Sequence, residues 1–260
     1  MNFSLLSLIL FSFLSFLLLL LVLLYFVPKL LLAERRRKKG IDRIAKERGW
    51  HVDRAQRDAL PPELAGETIF NMGDPETFHS FSVFLTIEGT YRDRAFLLLS
   101  RGCRRYRRQD GHSTTYLFTK LFATAKFTPF FIHPKSGVMD GFLQMDAAAK
   151  TADKTIKSVF FSKLSMPAPF SESYTLRGLS GAQDHLTDEV QQALIDRPGL
   201  FRRMEEKWHK RLPTYPGVSE RLAWVDIQGV DPETLFSRLD TLMDWADIIA
   251  PSANTGDAHV

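Results

Sequence analysis

The stretch LLSLILFSFLSFLLLLLVLLYFV, residues 5–27, decides the architecture. Its 23 residues are Leu, Phe, Ile and Val, interrupted only by Ser7, Ser12, Ser15 and Tyr25. As a helix rising about 1.5 Å per residue it would be roughly 35 Å long, enough to cross a hydrocarbon core of about 30 Å with some tilt. A helix satisfies its own backbone hydrogen bonds, which makes such a span viable in lipid. Tyr25 near one end suits the interface. The run is too long for a signal-peptide h-region, no positive n-region precedes it, and no A-x-A site or cysteine follows it. The expectation is an uncleaved transmembrane helix over 1–28.

Working outward, the C-terminal flank carries Lys29, Arg35, Arg36, Arg37, Lys38 and Lys39 against a single acid, Glu34. Six bases against one acid make +5, and the whole chain is only +4, so everything else comes to −1. The basic character is therefore one collar, which argues against a general nucleic-acid-binding surface. No Lys or Arg precedes the apolar run. Positive flanks stay inside, so the expected topology in the inner (cell) membrane is N-terminus out and body cytoplasmic. The lone cysteine fits a reducing compartment. The six bases are the expected contacts with the bilayer and its anionic headgroups. The segment 29–49 reads as a basic juxtamembrane helix, with a Glu34–Lys38 pair at i,i+4 and Gly49 as its C-terminal stop. The span is expected to continue into it as one long helix.

Residues 50–250 are long enough for one α+β domain, followed by a disordered tail over 251–260. Strands dominate from Glu67 to Pro134. Val83, Leu85 and Ile87 alternate with polar neighbours, Gly89 interrupts, and Ala95, Leu97 and Leu99 resume. Asp110-Gly111 signals a reversal, Thr114–Phe122 the returning strand and Phe127–His133 a further one, together an antiparallel meander. A seam of Ala, Lys and Asp lies at 139–155. Beyond it, Ser158–Ser162 and Ser173–Arg177 read as short strands. Leu186, Val190, Ala193 and Leu194 read as a helix ended by Pro198. Lys207–Thr214 and Arg221–Gln228 read as a strand pair around Pro216-Gly217. The closing amphipathic helix starts at an Asp231 N-cap with Pro232 at N1. It buries Leu235, Leu239, Leu242, Ala246 and Ile249, and its wet face is Arg238, Asp240, Asp244 and Asp247.

The chain carries no phosphate-binding glycine loop, no H-E-x-x-H, no G-x-S-x-G, and no two His at i,i+3 or i,i+4. One cysteine excludes a zinc finger. No catalytic residue, metal ligand or cofactor is therefore assigned, and the expectation is a binding or scaffolding domain, not an enzyme. Two alternatives stand beside it. Phe118, Phe122, Phe127, Phe130 and Phe131 suggest a cavity for a lipid or small apolar ligand. A tethered enzyme of unrecognised type would need His, Asp and Arg converging through space. The arginine run Arg101, Arg104, Arg105, Arg107 and Arg108 is the second candidate site, for an anion, a headgroup or an acidic partner.

Gly49-Trp50, the segment Gly89-Thr90-Tyr91-Arg92-Asp93-Arg94-Ala95-Phe96, Phe170 to Leu176, a helix with Asp188 and Leu194, Trp224 to Gly229 and Asp231-Pro232-Glu233 occur in an order that resembles a family. That family comprises uncharacterised bacterial single-pass membrane-anchored proteins with a cytoplasmic α+β domain. The resemblance implies anchor and fold and no activity; the Arg101–Arg108 run and the Ala147–Thr155 insert depart from it.

Overall fold

The computed structural model describes residues 3–64, 67, 78–105, 108–121, 126–134, 162–198, 200, 216–227 and 230–250. The seam at 139–155, Phe122, Arg107, the strand expected at Lys207–Thr214, most of the one expected at Ser158–Ser162 and the tail lie outside them.

A single helix, α1 (Phe3–Arg48), runs through Pro28 and the basic collar. Gly49, at φ +67°, ends it in the left-handed conformation, and the amide of Trp50 donates to the carbonyl of Ala45 at 2.8 Å. This is the stop expected from the sequence. Counted over the described residues alone, no helix is long and apolar enough to cross a membrane.

The chain then enters a sheet whose described strands are β1 (His51–Asp53), β2 (Phe78–Tyr91), β3 (Arg94–Arg105), β4 (Arg108–Lys120), β5 (Phe130–Pro134), β6 (Ser162–Leu164), β7 (Tyr174–Gly178), β8 (Pro216–Val218) and β9 (Leu222–Ile227). Their order is β1-β2-β3-β4-β9-β8-β5-β7-β6, with every neighbouring pair antiparallel. Short helices α2 (Phe170–Ser173) and α3 (Asp188–Ile195) and the long α4 (Leu235–Ile249) complete an α+β fold.

Two turns differ from the sequence reading. Gly89 does not interrupt β2. It pairs with Phe96 inside the ladder, and the indole of Trp50 lies over it, 2.3 Å from where a Cβ would stand. The reversal is at Arg92-Asp93, both at positive φ (48° and 60°). Asp110-Gly111 likewise is no reversal. Cys103 faces His112 and Arg105 faces Arg108, so Gln109, Asp110 and Gly111 accommodate a register shift within the pair.

The sheet is apolar on both faces. One face (Ile87, Leu98, Leu117, Phe130, Ile132, Leu176, Val225) is covered by α4, α3, α2 and the last turns of α1, through Ile41, Ile44 and Ala45. The other gathers Val83, Leu99, Phe118, Leu222 and Trp224 under Leu60 and Leu64. The expected stripe of α4 is buried, but so are Thr241, Trp245 and Arg238, the last expected on the wet face. The helix begins at Leu235, three residues after Pro232. Thr234 stands at the N-cap, so Asp231 and Pro232 are not the cap and first residue of the helix; the Asp231 carboxylate instead accepts from the amide of Glu233 at 3.0 Å in the turn that leads into it.

Candidate functional site

The site begins where α1 meets the domain. Gly40 passes so close to Pro232 that a Cβ would lie 2.6 Å from the Pro232 Cγ. Asp42 accepts from Arg54 at 2.5 Å, and Trp50, packed edge-on against Phe96 (4.8 Å), donates its indole N–H to the Thr90 carbonyl at 3.2 Å. The last turns of α1 are thus a core element of the domain.

Above this junction Arg35, Arg36, Arg37, Lys38 and Lys39 are all exposed, as is Lys29. Successive residues turn about 100°, so five consecutive bases surround α1 instead of marking one side. Lys38 pairs with Glu34 at 2.8 Å, and that hydrogen bond, with the Lys38 charge, holds the Glu34 carboxyl below its usual range. The Lys29 ammonium lies 3.9 Å from the centroid of the Tyr25 ring.

The acids expected on the wet face of α4 have partners. Asp240 accepts from the Tyr91 hydroxyl and from Arg92, both at 2.7 Å; Asp244 takes the other arm of Arg92 at 2.7 Å, and Asp247 pairs with Arg94. The Tyr-Arg-Asp-Arg segment therefore clamps the β2–β3 turn to α4. Left-handed backbone at a non-glycine residue costs roughly 1–2 kcal/mol, and the clamp offsets part of that cost.

Of the arginine run, Arg101 stands on the second sheet face, 5.6 Å from the Tyr116 ring centroid. Arg104 and Arg105 lie at the end of β3, and Arg108 opens β4 opposite Arg105. The sequence reading missed Asp226. It is the one acid in the β9 series Leu222, Trp224, Asp226, and it sits opposite Tyr116. Burial pushes its carboxyl up to about 7, against the opposing pull of Arg238 and Arg101. An acid alternating with Leu and Trp in a strand was the available signal. His185 accepts from the Thr128 amide at 2.9 Å, and burial lowers its pKa, so it pins a loop as a neutral ring.

The phenylalanines are divided. Phe130 and Phe127 belong to the helix-covered face, Phe118 and Phe131 to the other, so these four do not line one cavity. Among the described residues no group of His, Cys, Asp and Glu could hold a metal ion.

No protein-family model and no curated protein matches the sequence. The crystal structure of the mycobacterial trehalose monomycolate transport factor A is similar over 84% of this chain and 95% of that one, at 12% identity and a TM-score of 0.44. A likeness of that size carries no argument about function.

Proposed function

We propose that the chain is a single-pass inner-membrane protein whose α+β domain is a binding or scaffolding module held at the cytoplasmic surface. The carrying observation is α1 itself, one helix from Phe3 to Arg48 whose last turns lie in the domain core. Its large apolar side chains from Phe11 to Leu32, where described, stand exposed, Phe11 at 74% and Leu24 at 65%. Such a surface is costly in water and at no cost in lipid. The side chains at 5–10, 19, 22, 23 and 30 lie outside the described ones, and the sequence supplies Leu, Ile or Val at each except Ser7. Pro28 removes one backbone donor and is tolerated in spanning helices. The charge asymmetry supports the N-out orientation. The resemblance to uncharacterised membrane-anchored bacterial proteins belongs to the same proposal.

The test is alkaline carbonate extraction of membranes containing the intact chain, with alkaline phosphatase and fluorescent-protein fusions at its C-terminus. Retention in the pellet, a fluorescent fusion and an inactive phosphatase are expected. Release into the supernatant, or an active phosphatase, would overturn the reading.

The apolar-ligand alternative retains one supporting feature. Trp224 is 5% exposed, and its indole N–H has no hydrogen-bond partner among the described residues, beside Tyr116 and Phe131. Native mass spectrometry of the detergent-solubilised chain decides it; a spectrum free of co-purifying small molecules would retire it.

A further inference from the structure

Arg238 stands in the first turn of α4 and is buried, at 8% exposure. A guanidinium keeps its charge inside a protein, so burying it without a partner is costly. Among the described residues no ion pair includes it. Burial lowers its pKa, and two acids act on it from nearby, Asp231 more strongly than Asp226. Neither meets it in contact. The Asp231 carboxylate accepts from the amide of Glu233, and burial pushes the Asp226 carboxyl itself up to about 7.

The side chain is aimed at the entry of its own helix. Long side chains in a helix lean toward its N-terminus. Here the Arg238 Nε donates to the Thr234 Oγ1 at the N-cap, at 3.3 Å. The Nη1 beside it is buried and has no hydrogen-bond partner. The backbone donors of the same entry can be counted. The amides of Thr234 and Leu235 donate to the Asp231 carbonyl at 3.1 and 3.0 Å, that of Glu233 to the Asp231 carboxylate, and that of Arg238 to the Thr234 carbonyl at 3.1 Å. The amides of Phe236 and Ser237 are left over. The Thr234 side chain caps neither of them, and Ser237 is exposed, so the entry borders solvent.

Open amides and the macrodipole favour an anion at a helix N-terminus. An arginine aimed at the same place adds charged N–H donors that match carboxylate or phosphate oxygens. We propose that Arg238 and the amides of Phe236 and Ser237 form a binding site for one small oxyanion, a carboxylate or phosphate group, with Thr234 positioning the guanidinium. The site does not depend on whether α1 crosses a membrane, and it supplies a ligand chemistry where the scaffolding reading names none. Asp226 borders it. That carboxyl faces Tyr116 on β4 and feels Arg101 of β3 as well as Arg238. Protonated, it leaves Arg238 to the anion; ionised, it competes for it.

The test is thermal unfolding of the intact chain in non-ionic detergent, with sulfate exchanged for chloride at constant ionic strength. Sulfate stabilises proteins generally as its concentration rises, whereas a site saturates. A saturable rise in melting temperature is expected at pH 6. Arg238→Met removes the charge at similar volume, a change that buried charges tolerate, and should weaken the apparent affinity about tenfold or more. Thr234→Val keeps the charge but frees its orientation, and should weaken it several-fold. Sulfate carries the same charge at pH 6 and pH 8 while Asp226 does not, so binding should weaken several-fold by pH 8, and Asp226→Asn should erase that difference. Two further arms identify the source of the oxyanion. A saturable response to glycerol phosphate assigns a free phosphate ester; a response to phosphatidylglycerol in the micelle alone, abolished by Arg238→Met, assigns a lipid headgroup. A response linear in sulfate, or a saturable one that survives Arg238→Met, would overturn the site. Binding at pH 8 equal to or tighter than at pH 6 would overturn the place of Asp226 at its edge.

Discussion

Gly40→Ala separates two descriptions of α1. In an exposed helix interior, replacing Gly by Ala stabilises by about 0.8–1 kcal/mol, because the backbone loses less freedom on folding. If α1 were a free stalk, Gly40 would follow that rule. In the structure the new Cβ would stand 2.6 Å from the Pro232 Cγ and 3.1 Å from its Cβ. Carbon atoms prefer about 3.5–4.0 Å, so the overlap approaches 1 Å. Both neighbours are backbone-bound, Pro232 by its ring and Gly40 by α1, so overpacking of this kind costs about 1–3 kcal/mol. The net expectation is a loss of about 0–2 kcal/mol where propensity alone expects a gain. The assay is urea unfolding of the intact chain in detergent, followed by tryptophan fluorescence, since Trp50 packs beside the junction. Pro232→Ala removes the Cγ contact and should recover part of the loss in the Gly40→Ala background. A stabilised Gly40→Ala protein, insensitive to residue 232, would refute the docking of α1 on the α4 entry and with it the shared core.

Asp226→Asn should change the pH dependence of stability. The folded carboxyl, raised to about 7, holds a proton that the unfolded chain releases near 3.8, so it favours the folded state in acid. That contribution is lost as pH rises from about 4 to about 7, by up to roughly 4 kcal/mol on the shift alone. Unfolding at pH 5 and pH 8 should show the Asn variant gaining on the parent as pH rises; a constant difference would contradict this. Arg94→Ala should cost about 1–3 kcal/mol, since Arg94 is 8% exposed and paired with Asp247, whereas Arg92→Ala, with its half-exposed side chain, should cost less than about 1 kcal/mol by thermal unfolding. Asp93→Gly should stabilise by roughly 1 kcal/mol, because glycine adopts the left-handed conformation without penalty; a loss in melting temperature would argue that the turn geometry is not the source of strain. Neutralising Arg35, Arg36, Arg37, Lys38 and Lys39 should mix the orientations of C-terminal reporter fusions, and an unchanged cytosolic signal would make the collar redundant for topology.

What was legible in the sequence was local. The helix through the collar, its glycine stop, the pair Leu85 and Ile87 and the stripe on α4 follow from periodicity and capping, whereas Val83, expected on the same face as Leu85 and Ile87, lies on the opposite one because the register shifts between Val83 and Leu85. What was not legible depended on residues distant in the chain. Gly89 reads as a break only until Trp50, 39 residues earlier, is seen to need its missing side chain. Arg92-Asp93 lacks the Asn or Gly that marks a two-residue turn; Asp240 and Asp244, some 150 residues later, hold it. Asp110-Gly111 has that signature and lies within the β3–β4 ladder at a register shift instead. Asp240, Asp244 and Asp247 read as solvated for the same reason that Asp226 went unnoticed: the partner of a charge is a tertiary fact. Of the candidate sites, the collar bases are exposed and Arg101 stands on the sheet face beside Tyr116.

A domain fused to its anchor without a linker differs physically from one on a tether. A flexible linker of ten residues would let a domain wander by about 16–19 Å. Here no residue separates helix from core, since Gly40, Ile41 and Ala45 are both stalk and packing surface. With α1 spanning a bilayer as proposed, the height of the domain above it would be set by the helical rise between the collar and Gly40, and any tilt of the span would be transmitted to the sheet. On the same proposal, five bases surrounding the helix would fix depth but leave rotation about the membrane normal undetermined.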